Sequence, residues 1–269
     1  MSSPSCLSLR RFLCLLCLAV LSARAEPPPR AAAAFNTYVA TLEARLERQH
    51  RASPSILART VPEMDTRLRR GEFVLEQLTP PPGSGMQDAL LHHWRGTAFA
   101  PGISASEFEQ MLKNFAAYPV YFAPEVLQAK VVSEGANGLQ GWMRVRQKHI
   151  LTVVLDSTYD VSFDRLNPHQ GYSTSRSTRI DEIGAPGTDH ERPLGPGEEH
   201  GFLWRLNSYW TYEERDGGLY LQIESVSLSR SIPPGLGWAI RPFVESVPRE
   251  SLDFTLRSAL NALQKGHTL

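Results

Sequence analysis

Asp216-Gly217 constrains this chain more than any other pair of residues, because two long aromatic and β-branched runs, Phe202–Arg215 and Gly218–Ser231, flank it. Both residues tolerate positive φ, which the tight turns that match strand twist require. With Asp216-Gly217 as a two-residue turn, Arg215 pairs with Gly218, Tyr212 with Leu221 and Trp210 with Ile223. Side chains alternate along a strand, so this register puts Trp204, Leu206, Trp210, Tyr212, Leu219, Leu221 and Ile223 on one face. Ser225, Ser227 and Ser229 continue that face toward its far end. An aromatic wall grading into hydroxyls suits the inside of a binding cavity better than a dry core. Glu224, Val226, Leu228 and Arg230 fall on the opposite face. The apolar pair there implies either a bulge or contact with the N-terminal region.

The rest of the chain supplies partners for this hairpin. After it come a Pro/Gly-rich loop, Ile232–Pro242, and an amphipathic helix from about Ser246, its N-cap, to Leu263, with Leu252, Leu256, Ala259, Leu260 and Leu263 in one stripe. Before it, Ala89–Ala100 reads as a strand. Ser104-Ala105-Ser106-Glu107 has the form of a capping box, opening a helix that carries Phe108, Met111, Leu112 and Phe115. Strands follow at Val126–Glu134, Leu139–Gln147, Leu151–Arg165 and Tyr172–Ile183. Gly184–His200 is then a lid or a disordered loop. Residues 86–264 thus run strand, helix, six antiparallel strands, helix, which is an α+β class. Upstream, residues 26–85 form an N-terminal helical extension with Pro-rich linkers. It has a helix at Ala31–Arg51, a short helix near Met64–Arg70, a short strand at Glu72–Leu78 and a linker at Thr79–Ser84. Residues 265–269 are a tail.

Residues 1–25 have the form of an export signal: Arg10-Arg11, an apolar run Phe12–Leu21, and Ala23-Arg24-Ala25 before Glu26. That run is about ten residues, against the roughly 20 needed to span a bilayer. The expectation is a soluble periplasmic or secreted protein. All three cysteines (Cys6, Cys14 and Cys17) lie in this segment, so a processed chain has no disulfide and relies on its core. Processing removes three basic residues from a 28/28 balance and leaves 25 basic against 28 acidic. Near-neutral charge argues against nucleic acid as a partner.

The element order is similar to that of the START / Bet v1-like (SRPBCC) superfamily, the helix-grip fold. The stretches that carry the resemblance are HHWRGTAFAPGISASEFEQML, STRIDEI and YWTYEERDGGLYLQIESVSLSR…IPPGLGWAIRPFVESVPRESL, within Met86–Gln264. They resemble an exported bacterial group within that superfamily. The resemblance implies a curved antiparallel sheet of about seven strands around a long C-terminal helix, with a cavity between them that holds a hydrophobic or lipid-like ligand. The superfamily also includes cyclases and other enzymes, so the fold alone does not exclude catalysis.

Few residues carry a catalytic signal. His92 and His93 are neighbours on a strand and point to opposite faces, so they cannot serve one metal or one active site together. One of them can face the cavity as an acid, base or anchor. No metal-ligand spacing occurs, and Gly235-Leu236-Gly237 lacks the context of a dinucleotide loop, so neither metal nor cofactor is expected. Arg176 and Arg179 lie on one strand and Asp156 and Asp160 on its neighbour, where they suit cross-strand ion pairs. Glu224 and Arg230 raise the same question in the last hairpin. Trp238, Ile240 and Phe243, in the loop before the last helix, can gate the cavity, touch a membrane transiently, or plug the core.

The leading expectation is an exported, non-catalytic protein that binds a lipid or other hydrophobic small molecule. Its ligand site comprises Trp204, Trp210, Tyr212, Leu221, Ile223, Ser225 and Trp238. One alternative is an enzyme of the polyketide cyclase/hydrolase type, with His92 or His93 as acid/base. The other is an interaction protein whose cavity is filled by side chains. Nothing in the sequence specifies an oligomeric state.

Overall fold

The computed structural model describes residues 26–52, 55–59, 61, 63–78, 88–148, 152–195, 197–231 and 237–266, without the side chains of 237–245. The expected export signal (1–25), the linker at 79–84, and Gly235 and Leu236 lie outside them. In chain order the elements are α1 (Pro29–His50), α2 (Met64–Arg69), β1 (Val74–Gln77), β2 (Ala89–Pro101), α3 (Ala105–Lys113) and α4 (Tyr118–Tyr121). They continue with β3 (Val126–Gly135), β4 (Gly138–Lys148), β5 (Thr152–Asn167), β6 (Gln170–Gly184), β7 (Arg192–Pro193), β8 (Arg205–Arg215), β9 (Gly218–Arg230) and α5 (Gly237–Gly266). Eight strands form one antiparallel sheet in the order β1-β2-β9-β8-β6-β5-β4-β3, and the two-residue β7 pairs with β6. This is an α+β helix-grip arrangement, a large antiparallel sheet with a C-terminal helix on it, and it has two more strands than the seven expected.

The hairpin has the expected register: Arg215 faces Gly218, Tyr212 faces Leu221 and Trp210 faces Ile223. Asp216 and Gly217 both have positive φ, at 56° and 75°. Ser104 caps α3 with the reciprocal Glu107 bond of a capping box.

Alternation along β9 sorts the molecule into two layers. On the concave face, Leu219, Leu221 and Ile223 join Trp210 and Tyr212 in a core with Phe108, Met111 and Leu112 of α3 and Leu252, Leu256, Ala259, Leu260 and Leu263 of α5. Gly96 of β2 allows the close approach: a Cβ there would lie 2.4 Å from Leu256 Cδ1. On the convex face, Val226 and Leu228 pack with Tyr209 under the stripe Ala31, Phe35, Val39, Leu42 and Leu46 of α1. Contact with the N-terminal region, not a bulge, is therefore what places two apolar residues on the outer face. The extension also supplies β1 as an edge strand, with Val74 facing Thr97 of β2.

Four expectations are corrected. Helix α5 begins at Gly237 rather than near Ser246, running through Pro242 and Pro248. Each of those prolines deletes one backbone donor without ending the helix. Residues 185–195 and 197–200 are held along β6 rather than forming a lid or a disordered loop: Glu182 accepts from the backbone N–H groups of His200 and Phe202, and Leu194 N–H donates to the Glu182 carbonyl. The expected Arg176/Arg179–Asp156/Asp160 pairs do not form. Arg176 reaches Glu43 of α1 at 2.6 Å, Arg179 takes Asp181 on its own strand, and Asp156 pairs with Arg144 of β4. A bulge at Thr158/Tyr159 sets Arg179 opposite Thr158, and Asp160, although opposite Arg176, accepts from Gln140 of β4 instead. Trp204, finally, does not share a face with Trp210. It precedes β8 and packs with Ala31, Phe35 and Leu228 on the α1 side, where alternation no longer applies.

Candidate functional site

The concave face divides into two halves. Toward the β8–β9 turn it is filled by side chains. Phe108 sits edge-on to both Trp210 and Tyr212, at 5.2 and 5.3 Å between ring centres. The Tyr212 hydroxyl donates to Glu109 at 3.3 Å, and burial together with that carboxylate raises the tyrosine's pKa. Leu221 is 0% exposed, Tyr212 1% and Ile223 3%, so α3 and α5 occupy the surface they would offer a ligand. Four of the residues expected to form the ligand wall (Trp210, Tyr212, Leu221 and Ile223) are thus brought together, but as packed core.

Ser225 lies at the boundary. Beyond it the face changes character, because the sequence alternates Ser225, Ser227 and Ser229 inward with Val226 and Leu228 outward. Cross-strand pairing sets Ser225 between Trp94 and Ser208, with Ser175 next in the same row. The next row sets Ser227 between His92 and Leu206, and Leu206 N–H donates to Ser177 Oγ at 2.9 Å. Ser229 follows, beside Leu90. Ser175, Ser177, Ser208 and Ser225 are only half-buried. Ser229 Oγ and Trp94 Nε1 are buried and have no hydrogen-bond partner. Leaving such a group unsatisfied costs about 1–3 kcal/mol, so each is a place where a bound atom is expected.

Helix α5 spans this region. Its Ser251 accepts a hydrogen bond from Gln147 of β4 at 2.9 Å, and its Leu256 lies over Gly96 of β2. The serine-bearing strands β6, β8 and β9 lie between those two anchors. Trp238 falls in the first turn of α5, and its side chain lies outside the described residues. Glu125, where α4 meets β3, is a half-buried carboxyl whose pKa burial raises to about 7.

The two histidines separate as expected. His92 takes the concave face beside Ser227. His93 takes the convex face, where Nε2–H donates to Glu224 at 2.9 Å and Nδ1 meets the Tyr38 hydroxyl of α1 at 2.7 Å. Arg45 of α1 bonds the same carboxylate, and Arg95 lies 3.6 Å from it. Burial pushes the Glu224 pKa up, but the His93 bond and the two guanidinium charges outweigh it and hold the group below the usual carboxylate range. The histidine paired with a carboxylate is therefore closed off under α1.

Two clefts lie elsewhere on the described surface. One, of ≈ 570 Å³, is lined by Pro27–Pro29, Asp88, Trp204 and Arg230 at the start of α1. The other, of ≈ 340 Å³, lies between α2 and the end of α5, against Phe73, Phe99 and Arg257. Trp204 thus borders a cleft, but one remote from Trp210. Sequence reasoning missed the partners in the serine row, Trp94, Ser208 and Ser175. Trp94 and Ser208 were findable, because each faces Ser225 once the hairpin register is extended to β2.

No protein-family model matches the chain, and no curated protein matches it. Solved structures similar to it include a STAR-related lipid transfer protein from Xanthomonas axonopodis, with 15% identity, TM-score 0.44, and 71% of this chain and 98% of that one covered. Human STARD10 has 9% identity, TM-score 0.45 and coverage of 81% and 86%. The Zhui aromatase/cyclase from Streptomyces sp. R1128 has 13% identity, TM-score 0.45 and coverage of 65% and 95%. At these identities and scores the likeness transfers no ligand, reaction or site to this chain.

Proposed function

We propose that this protein binds a lipid or other hydrophobic small molecule between the serine-lined half of the sheet and α5, without catalysis, and that it does so after export. The observation that carries the reading is the pairing of a closed apolar core with an adjoining half-buried serine patch that holds two unsatisfied buried polar groups. Ligand pockets are built this way, mostly apolar with a few placed polar groups. The site moves from the Trp210–Ile223 wall to Ser225, Trp94 and their neighbours, with His92 as a further polar group at its edge.

The test is native mass spectrometry of the full chain, purified without detergent, followed by solvent extraction. One apolar molecule bound per chain is expected, and buffer components alone contradict the reading. Export is tested separately, by cell fractionation and sequencing of the processed N-terminus. The expected result is a chain beginning at Glu26, and an unprocessed chain in the cytoplasm overturns it.

A further inference from the structure

We infer that the ligand's buried polar end is uncharged, a carbonyl, ester or hydroxyl oxygen rather than a phosphate or carboxylate; this rests on the binding reading above. Charge is sorted by face. Arg45, Arg95, Arg144 and Arg176 and their acidic partners Glu224, Asp156 and Glu43 are all engaged in the convex layer or between it and α1. The concave half that carries Ser175, Ser177, Ser208, Ser225, Ser227 and Ser229 has no lysine or arginine side chain among the described residues. Its one carboxylate among the described residues, Glu182, is spent on the backbone of His200 and Phe202.

On the serine-bearing half, the two unsatisfied groups match that sorting. Trp94 Nε1 can only donate, and Ser229 Oγ can donate or accept. Both are neutral. An uncharged oxygen placed against either group completes its hydrogen bond; the two stand four residues apart along the paired strands, so each takes an oxygen of its own. A buried anion there would meet no cation, and a charge taken out of water without a partner is strongly disfavoured.

The experiment offers the delipidated full chain two pairs of probes from cyclodextrin at pH 8: hexadecan-1-ol against hexadecyl phosphate, and dipalmitoylglycerol against dipalmitoyl phosphatidate. Retention after gel filtration is read by native mass spectrometry. The uncharged member of each pair is expected to be retained at least tenfold more. Trp94→Phe and Ser229→Ala are each expected to lower retention of dipalmitoylglycerol, which carries several oxygens, several-fold while leaving the thermal midpoint within a few degrees. The second variant keeps the test decisive if the first fails to fold. Equal or better retention of the phosphates overturns the inference and leaves the binding reading intact. Retention unchanged in both variants also overturns it. Retention of none of the four probes by the wild-type chain overturns the binding reading itself.

Discussion

Glu224 and Ser225 are neighbours in β9, and they meet opposite surroundings. Glu224 points outward and is closed in by His93, Arg45 and Arg95, a buried charge supplied with partners by α1 and β2. Ser225 points inward and meets Trp94 and Ser208, in a patch of neutral groups of which two lack partners. The outer layer spends its polar groups on holding the N-terminal extension to the sheet. The inner layer holds polar groups in reserve beside an apolar core. Each face keeps buried atoms without a partner, Trp94 Nε1 and Ser229 Oγ inside and Glu224 Oε1 and Trp204 Nε1 outside, so the faces differ in kind: the outer polar groups are charged and paired with α1, and the inner ones are neutral and grouped beside the apolar core.

The comparison can be broken first at its charged side. Glu224→Ala leaves Arg95 and His93 buried without their anion and is expected to cost about 3–5 kcal/mol in urea denaturation. A loss below about 1 kcal/mol would mean that the convex cluster does not hold α1 in place. Leu221→Ala is expected to cost about 2–5 kcal/mol, because the residue is fully enclosed by α5 and β2 and leaves a cavity. If the filled half is core, ligand retention by the folded fraction stays at the wild-type level; its loss would return Leu221 to the ligand wall.

Two titrations sharpen the picture with smaller effects. His50 of α1 stacks on Tyr172 at 4.1 Å and bonds Thr211, and burial with the nearby Arg45 charge lowers its pKa to about 4. The unfolded chain binds this proton near pH 6.5, so stability is lost as pH falls from about 6.5 to 4. Glu125 has the opposite sign. Its pKa is raised to about 7, so the folded chain holds the proton longer and stability falls as pH rises from about 4.5 to 7. Glu125→Gln is therefore expected to stabilise the protein above pH 7 by on the order of 1 kcal/mol, an amount reduced by solvent screening of the half-exposed group, and to have no effect below about pH 4.5. Thermal melts across that range, with His50→Gln as the companion variant, separate the two contributions.

Much of this was legible before the structure. Asp216-Gly217 set the register of β8 and β9, Ser104–Glu107 set the start of α3, and strict alternation separated His92 from His93. The opposite faces of Glu224 and Ser225 follow from the same rule. Three features were not legible. Trp204 lies just outside β8, where a period of two no longer applies. The partner of Arg176 lies on a helix more than a hundred residues away in sequence, and that of Arg179 lies two residues along its own strand. The filling of the Trp210–Tyr212 wall depends on how closely α3 and α5 approach, which Gly96 permits but does not announce. An aromatic stripe beside a helix reads the same whether the space between them is packed or open.

The most direct test is the set of indole N–H signals in a ¹H–¹⁵N spectrum, since the chain has five tryptophans. Hexadecan-1-ol is added to the delipidated protein, and the signals are assigned by single Trp→Phe variants. A bound oxygen at Trp94 Nε1 moves that signal downfield and leaves those of Trp142, on the convex face, and Trp204, under α1, in place. Movement of Trp204 with Trp94 unchanged, or no movement at all in the presence of bound ligand, would contradict a site on the serine-lined half of the concave face.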